Sequence, residues 1–225
     1  MIKLSIIIPV YNEQKTIEQL LNKVRSVEVS DTEKEIIVVD DGSTDQTLEI
    51  LKRQKNIKVI CHQKNQGKGA AFKTGLKNCL GDIVIIQDAD LEYDPQDIKL
   101  CVEPILRKET KVVYGSRELN KKNKSHSDWL FFLGGKTVTW FTNLLYKSRL
   151  TDEPTCYKCF DARLIKSIDI KGNGFEWEPE ITAKILKKGI KIKEVPISYF
   201  SRKEGKKIKY RDGLKAIWTL IKHRF

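Results

Sequence analysis

Four short, nearly unbroken apolar runs constrain this chain more than any other feature: SIIIPV at 5–10, EIIVVD at 35–40, NIKVI at 56–60 and DIVIIQ at 82–87. Continuous rather than alternating apolarity marks strands buried on both faces, the habit of parallel sheets covered by helices. The segments between them have helical periodicity. At 16–24, Ile17, Leu20, Leu21 and Val24 fall at i, i+3, i+4 and i+7, one face of a helix. Residues 44–54 repeat the pattern through Leu48 and Leu51, with Thr44 or Asp45 as N-cap, and 67–80 form a third such stretch. Strand alternating with helix predicts right-handed crossovers and an open, mostly parallel α/β sheet with flanking helices.

Beyond residue 110 the pattern is more mixed. A strand is expected at 111–117, a polar loop at 118–128, and an apolar, aromatic stretch with a Gly-Gly break at 129–147. Residues 155–160 read as a strand and 174–189 as an entry loop plus helix. The alternating segment 190–199 reads as an edge strand, with Pro196 ending its regular part. A basic loop at 201–211 leads into a last helix at 212–225. No repeat or low-complexity linker divides the 225 residues, so one domain, 1–225, is expected.

Apolar residues make up 40 % of the chain and charged residues 32 %, too apolar for a disordered tail and too charged for a membrane bundle. No secretory signal is expected, because the apolar start at 1–10 is too short, and no run of 18 apolar residues predicts a membrane span. The net charge of +12 is unevenly placed: 16 Lys/Arg against 18 Asp/Glu in 1–110, net −2, but 26 against 12 in 111–225, net +14. Such asymmetry points to a polyanion, whether nucleic acid, anionic lipid or a phosphorylated substrate, or to a merely lysine-rich composition. Five cysteines without regular spacing fit a reducing cytosol, and Cys156-x-x-Cys159 lacks the second pair a zinc site needs.

In an open α/β sheet, ligands bind beyond the carboxyl ends of the strands. Those ends are residues 9–13, the acidic turn Asp40-Asp41-Gly42-Ser43, and Asp88-Ala89-Asp90. Asp88 and Asp90, one residue apart just past a buried strand, suit a hard cation, which takes one or two carboxylates plus phosphate and water. Capping accounts for Ser43, Thr44 and Asp45 but not for Asp40, which ends the apolar run and is placed to accept hydrogen bonds from a ribose or base. The glycine stretch at 67–72 fails the dinucleotide fingerprint at Phe72 and follows the third strand rather than the first, and no P-loop is present.

Together these residues resemble glycosyltransferase family 2. The matching motifs are I-I-I-P-V-Y-N-E at 6–13, V-V-D-D-G-S-T-D at 38–45, N-Q-G-K-G-A-A at 65–71, Q-D-A-D-L-E at 87–92 and G-S-R at 115–117. D-E-P-T-C-Y-K at 152–158, G-F-E-W-E-P-E at 174–180 and R-x-x-G-K-K at 202–207 extend the match over nearly the whole chain. More narrowly, the pattern resembles the branch that transfers mannose or glucose to dolichyl or other polyprenyl phosphates. The resemblance implies a GT-A nucleotide-sugar-binding fold, with 1–117 binding nucleotide and metal and 118–225 facing acceptor and membrane. It implies that Pro9, Tyr11, Glu13, Val38 and Asp40 hold the nucleoside, and that Asp88, Ala89 and Asp90 lie at the diphosphate. Asp88, Asp90 and Glu92 would ligate Mg2+ or Mn2+, with Glu92 standing where the mannosyl enzymes often have Gln. Arg117 and Arg202 would grip phosphates, and with Asp90 form the catalytic set.

Relatives often read R-x-x-G-x-S-K after the last strand. Here the Ser is missing, so either Lys207 is the phosphate lysine or Lys206 and Lys207 act together. Glu176 and Glu178 are either near the acceptor or on a surface helix, and Asp152 and Lys158 have no assigned role. The implied partners are a nucleotide sugar of the GDP-mannose or UDP-glucose class, a polyprenyl or dolichyl phosphate, an anionic membrane surface and a membrane partner subunit. The implied location is the cytosolic face of a membrane. Residues 129–147, with Trp129, Phe131, Phe132, Trp140, Phe141 and Tyr146, and 212–225, with Leu214, Ile217, Trp218 and Ile221 on one face, would lie at that interface or pack on the core. Two other readings stay open. One is a family 2 transferase with a hydroxyl acceptor and a carboxylate base such as Glu178. The other is a nucleic-acid-binding module, although no helix-turn-helix, zinc-finger or RNP-like pattern supports nucleic acid as a partner.

Overall fold

A computed structural model describes residues 1–123, 129–202, 207 and 210–225, with the backbone alone for Leu130, Phe131 and Tyr210. The first half runs β1 (Ile2–Val10), α1 (Ile17–Ser26), β2 (Thr32–Asp40), α2 (Thr47–Lys52), β3 (Lys58–Cys61), α3 (Lys68–Asn78) and β4 (Ile83–Ile86). Then come a 3-10 turn (Pro95–Asp97), α4 (Ile98–Leu106), β5 (Val112–Ser116), α5 (Trp129–Tyr146), β6 (Lys158–Asp161) and α6 (Ala162–Lys166). The chain closes with α7 (Trp177–Lys187), β7 (Lys193–Pro196) and α8 (Tyr210–Arg224). Two helices were not anticipated from the sequence. α4 carries Pro104, a residue that argues against a helix interior, and α6 is a single short turn capped by Asp161.

The strands form one sheet in the order β3-β2-β1-β4-β6-β5-β7. β1 is parallel to β2 and β4, β2 to β3, and β5 to β7, while β6 is antiparallel to both β4 and β5. The sheet is therefore mostly parallel with flanking helices, as the apolar runs predict. Successive strand residues point to opposite faces, so the full burial of Ile6, Ile7 and Ile8 in sequence means that both faces are covered. β7 lies at the edge of the sheet, shorter than the alternating segment 190–199. Chain direction reverses about β1: β2 and β3 build outward on one side and β4 starts the other. The loops after β1 and β4 thus diverge at a topological switch point, where open sheets bind ligands.

The glycines at 67–71 serve a close approach between segments. Asp41, buried at the end of β2, accepts hydrogen bonds from the N–H groups of Gln66 (2.9 Å) and Gly67 (2.8 Å) and is 2.7 Å from His62 Nδ1. From the other side Asn173 O accepts the Ala70 N–H at 3.1 Å. Gly67 has φ +100°, and a Cβ there would stand 2.3 Å from Asn173 O. The start of α3 is thus clamped between the β2 turn and residues 171–174.

Around the main core, α5, α7 and α8 share a smaller cluster of Val138, Ala183 and Leu220, with Phe141, Ile217 and Ala216 packed against it. Cys156 and Cys159 are buried free thiols. Gly67→Ala is expected to lose about 2–4 kcal/mol of stability in urea unfolding, because it adds both backbone strain and a clash with a carbonyl.

Candidate active site

Three strand ends meet at the switch point, and a network of short hydrogen bonds fixes two of them to each other. Asn12, in the left-handed region at φ 50°, donates its N–H to Ser43 Oγ (2.9 Å) and accepts the Thr44 N–H (2.8 Å). Glu13 N–H donates to Thr47 Oγ1 at 2.9 Å. These contacts lock the turn after β1 onto the turn after β2. Between them Asp40 is almost fully buried, and its carboxylate has only two long contacts of 3.4 Å from Ser43 N–H. Its acceptor capacity is largely unspent. Pro9 and Val10 lie in register with Val39 and Asp40, whereas Val38 is wholly buried within the core, where no ligand reaches its side chain.

After β4, Asp88 and Asp90 meet different partners. Asp88 Oδ1 lies 2.8 Å from Lys68 Nζ, which also lies 2.9 Å from Glu178 Oε1. Burial pushes the Asp88 carboxyl up most strongly, but the Lys68 ammonium, a hydrogen bond from the Cys156 thiol and Arg202 together hold the group below its ordinary value. Asp90 stands only 3.5 Å from Arg202 Nη2. Burial, then repulsion from Asp88 and Glu92, push its carboxyl up to about 7. Ala89, between them, is buried. A cluster this crowded with negative charge, built of hard oxygen donors, suits a divalent cation that brings its remaining ligands with it.

The structure does not assemble Asp88, Asp90 and Glu92 into one ligand set. Among the described residues no three His, Cys, Asp or Glu side chains are grouped to hold a metal. Glu92 instead anchors the segment at 199–202: it accepts the Arg202 N–H (2.8 Å) and the Tyr199 O–H (3.1 Å), and its carbonyl accepts the Phe200 N–H (2.8 Å). Asp88 and Asp90 are the carboxylates left to hold a cation.

The basic residues fold back onto this acidic edge. Arg202 Nη1 donates to Glu13 Oε1 at 3.1 Å, and its buried Nε–H has no acceptor among the described residues. Lys207 donates to the Tyr11 carbonyl and, at 2.6 Å, to Glu13 Oε1. Glu13 is thereby spent on two cations. Lys206 lies outside the described residues.

Arg117 sits further along, gripped by Asp152: Nε to Oδ2 and Nη2 to Oδ1 are both 2.7 Å, and the Arg117 N–H donates to Oδ2 at 2.9 Å. The guanidinium also lies 5.1 Å from the centre of the Tyr199 ring. Sequence reading left Asp152, Lys158 and Glu178 without settled roles. Lys158 is fully buried, donates to the carbonyls of Glu153 (2.8 Å) and Thr155 (2.6 Å), and lies 3.9 Å from Glu178 Oε2. Glu178 belongs to the site's charge network and is buried. Glu176 caps residues 173–174 by accepting their N–H groups at 3.1 and 2.9 Å.

The architecture matches that of sugar transferases with the GT-A fold. Solved structures of glucosyl-3-phosphoglycerate synthase from Mycobacterium tuberculosis, one crystallised with uridine diphosphate, superpose with a TM-score of 0.76 at 20 % identity, covering 99 % of this chain and 80 % of that one. The chain belongs to glycosyl transferase family 2, whose sequence profile matches residues 5–168, and it is a glycosyltransferase. An uncharacterised protein of Methanocaldococcus jannaschii is 31 % identical over 96 % of this chain and 90 % of its own. A UDP-N-acetylglucosamine–dolichyl-phosphate N-acetylglucosaminyltransferase of Methanococcus voltae is 32 % identical over 85 % of this chain and 83 % of its own. A dolichol-phosphate mannosyltransferase of Pyrococcus furiosus is 30 % identical over 98 % of this chain, which spans 64 % of that relative.

Arg117 holds the buried Asp152 carboxyl below its ordinary value against the opposing effect of burial. A lowered folded value means stability that is present above the unfolded value of 3.8 and lost as pH falls below it. Asp152→Asn is expected to cost about 2–4 kcal/mol at pH 7, because it leaves a partly buried guanidinium unpaired. Denaturation of parent and variant across pH should show that difference closing below pH 3.8.

Proposed function

We propose that this enzyme transfers a hexose, with inversion, from a nucleotide diphosphate sugar of the GDP-mannose or UDP-glucose class to a polyprenyl or dolichyl phosphate at a membrane surface. The observation that carries the reading is Arg202: a guanidinium set between Glu13 and Asp90, with a buried Nε–H that has no acceptor among the described residues. A planar cation with an unspent donor, beside the carboxylates of a diphosphate site, is built to receive phosphate oxygens. Relatives named for dolichyl phosphate acceptors support the same reading.

In this scheme Asp40 accepts hydrogen bonds from the nucleoside, alongside Pro9 and Tyr11. Asp88 and Asp90 would hold Mg2+ or Mn2+, which when bound neutralises charge on the departing diphosphate. Arg202, Lys207 and Arg117 orient the phosphates of both substrates and offset the charge that builds on the leaving group. The acceptor is an ionised phosphate and needs no base. Glu178, the carboxylate best placed to act as base toward a hydroxyl acceptor, is fixed between Lys68 at 2.9 Å and Lys158 at 3.9 Å. That clamp argues against the hydroxyl-acceptor reading.

A polyprenyl chain is insoluble in water, so the enzyme must meet it at a bilayer. No described helix is long and apolar enough to cross one. α5 and α8 supply an alternative. Ile217 and Phe141 turn to the core, while Trp140 (58 % exposed), Leu144 (59 %), Leu214 (65 %) and Trp218 (65 %) face outward. Trp129 and Leu133 are also exposed. Large apolar side chains with Lys136, Lys215 and Lys222 nearby suit the interface of an anionic membrane, on its cytosolic face and with or without a membrane partner subunit.

The test is transfer from labelled GDP-mannose and UDP-glucose to a short polyprenyl phosphate with Mn2+. Transfer to sugar hydroxyls with the lipid phosphate inert would overturn the reading. Asp90→Ala is expected to lower transfer by about a thousandfold or more while the melting temperature holds. In co-sedimentation with anionic vesicles, the double variant Trp140→Ala/Trp218→Ala is expected to bind about tenfold more weakly, equivalent to roughly 1.4 kcal/mol. Unchanged sedimentation would rule out these helices as the membrane contact.

A further inference from the structure

We infer that Lys68 is a positioning residue of the nucleotide-sugar site, a built-in cation that fixes the Asp88 carboxylate through one oxygen and leaves the other to the metal. The inference rests on the metal-dependent function proposed above. Lys68 opens α3, whose start is clamped by Asp41 on one side and Asn173 on the other, so its side chain leaves from a backbone that cannot shift easily. Its side chain is 16 % exposed, and its ammonium divides between Asp88 Oδ1 at 2.8 Å and Glu178 Oε1 at 2.9 Å. From Asp88 the charges alternate inward through Lys68 and Glu178 to Lys158, fully buried and 3.9 Å from Glu178 Oε2. Lys158 in turn donates to the carbonyls of Glu153 and Thr155, in the segment that carries Asp152, the partner of Arg117. The series links the two phosphate-facing ends of the site through buried ion pairs.

This makes the two carboxylates of Asp88-Ala89-Asp90 unequal. One oxygen of Asp88 is taken by an ammonium in hydrogen-bond contact, whereas Asp90 accepts the Glu92 N–H at 3.2 Å and meets a single cation, Arg202 at 3.5 Å, the more easily displaced partner. Asp90 would then be the metal's primary protein ligand, with the Lys68-held Asp88 as the second. An ammonium this close also repels a bare divalent cation. The same charge does not repel a cation that arrives already paired with a diphosphate, so the site favours metal bound to nucleotide over free metal.

Mn2+ binding, followed by the electron paramagnetic resonance of the free ion, separates this role from a merely structural one. Lys68→Met, shown to be folded by circular dichroism, is expected to bind Mn2+ alone about tenfold more tightly than the parent, since a repelling charge is gone. Lys68→Arg, which keeps the charge, is expected to stay close to the parent. The Lys68→Met enzyme should also show a KM for the nucleotide sugar raised about fivefold or more, restored by Arg. A structural role would leave Mn2+ affinity unchanged or weaken it, and either result overturns the inference. If two orphaned carboxylates prevent Lys68→Met from folding, Lys68→Met/Glu178→Gln removes one of them and gives the same reading. A parent enzyme that binds no Mn2+ even with nucleoside diphosphate present would overturn the metal-dependent function as well. Normal parent binding with an unchanged Lys68→Met would overturn this inference alone.

Discussion

A sheet covered on both faces leaves no place for charge except at its ends, and that constraint organises the rest of this protein. Three consecutive isoleucines in β1 have no contact with solvent, so the polar work of the first half is displaced to the turns after β1, β2 and β4. There the carboxylates crowd, and each is answered differently. Asp41 is satisfied by backbone N–H groups, Asp88 by an ammonium, and Asp90 by one backbone N–H and a guanidinium at 3.5 Å together with a raised affinity for its proton. Asp40 has only long contacts. The least satisfied groups are the ones a ligand can reward.

The uneven charge of the chain takes on a geometric meaning in this setting. Cations of the basic half, Arg202 and Lys207, are folded onto Glu13 of the near-neutral half, and Lys68 of the near-neutral half onto Glu178 of the basic one. A phosphate-binding surface without its phosphate would otherwise carry strong internal repulsion. Parking each cation on a carboxylate keeps the unliganded fold stable and, on the proposed reading, stores the cation close to the phosphates it would meet.

Much of this was legible in the sequence, and the remainder was hidden for physical reasons. The four apolar runs locate β1 to β4 because burial on both faces leaves a composition that few other elements share. The acidic residues at their ends follow from the rule that ligands bind beyond strand carboxyl ends. That same rule hid Asp152 and Lys158, which lie before and at the start of a strand. Because β6 is antiparallel to β4, its entry point lies at the same edge of the sheet as the exit of β4, and strand direction cannot be read from composition. Lys68 escaped notice because a lysine between two glycines carries no sign of its partners, and only the fold reveals that they are carboxylates. Glu92 was given as a metal ligand by the family resemblance, but a motif does not say which way a side chain points, and here Glu92 is bonded to Tyr199 and Arg202. α4 was missed because Pro104 argues against a helix interior, a local preference that burial of Ile98, Val102 and Ile105 overrides.

The four tryptophans are divided in a way that bears on how this protein can be observed. Trp177 has no exposed surface and stacks on Phe72 with ring centres 4.4 Å apart, whereas Trp129, Trp140 and Trp218 are each more than half exposed on α5 and α8. The emission of the exposed three, red and quenchable, reports on whatever touches those two helices. The buried one reports on the integrity of the core beneath α3. Surface engagement and unfolding therefore have separate intrinsic optical signatures, and both can be followed in the unlabelled enzyme.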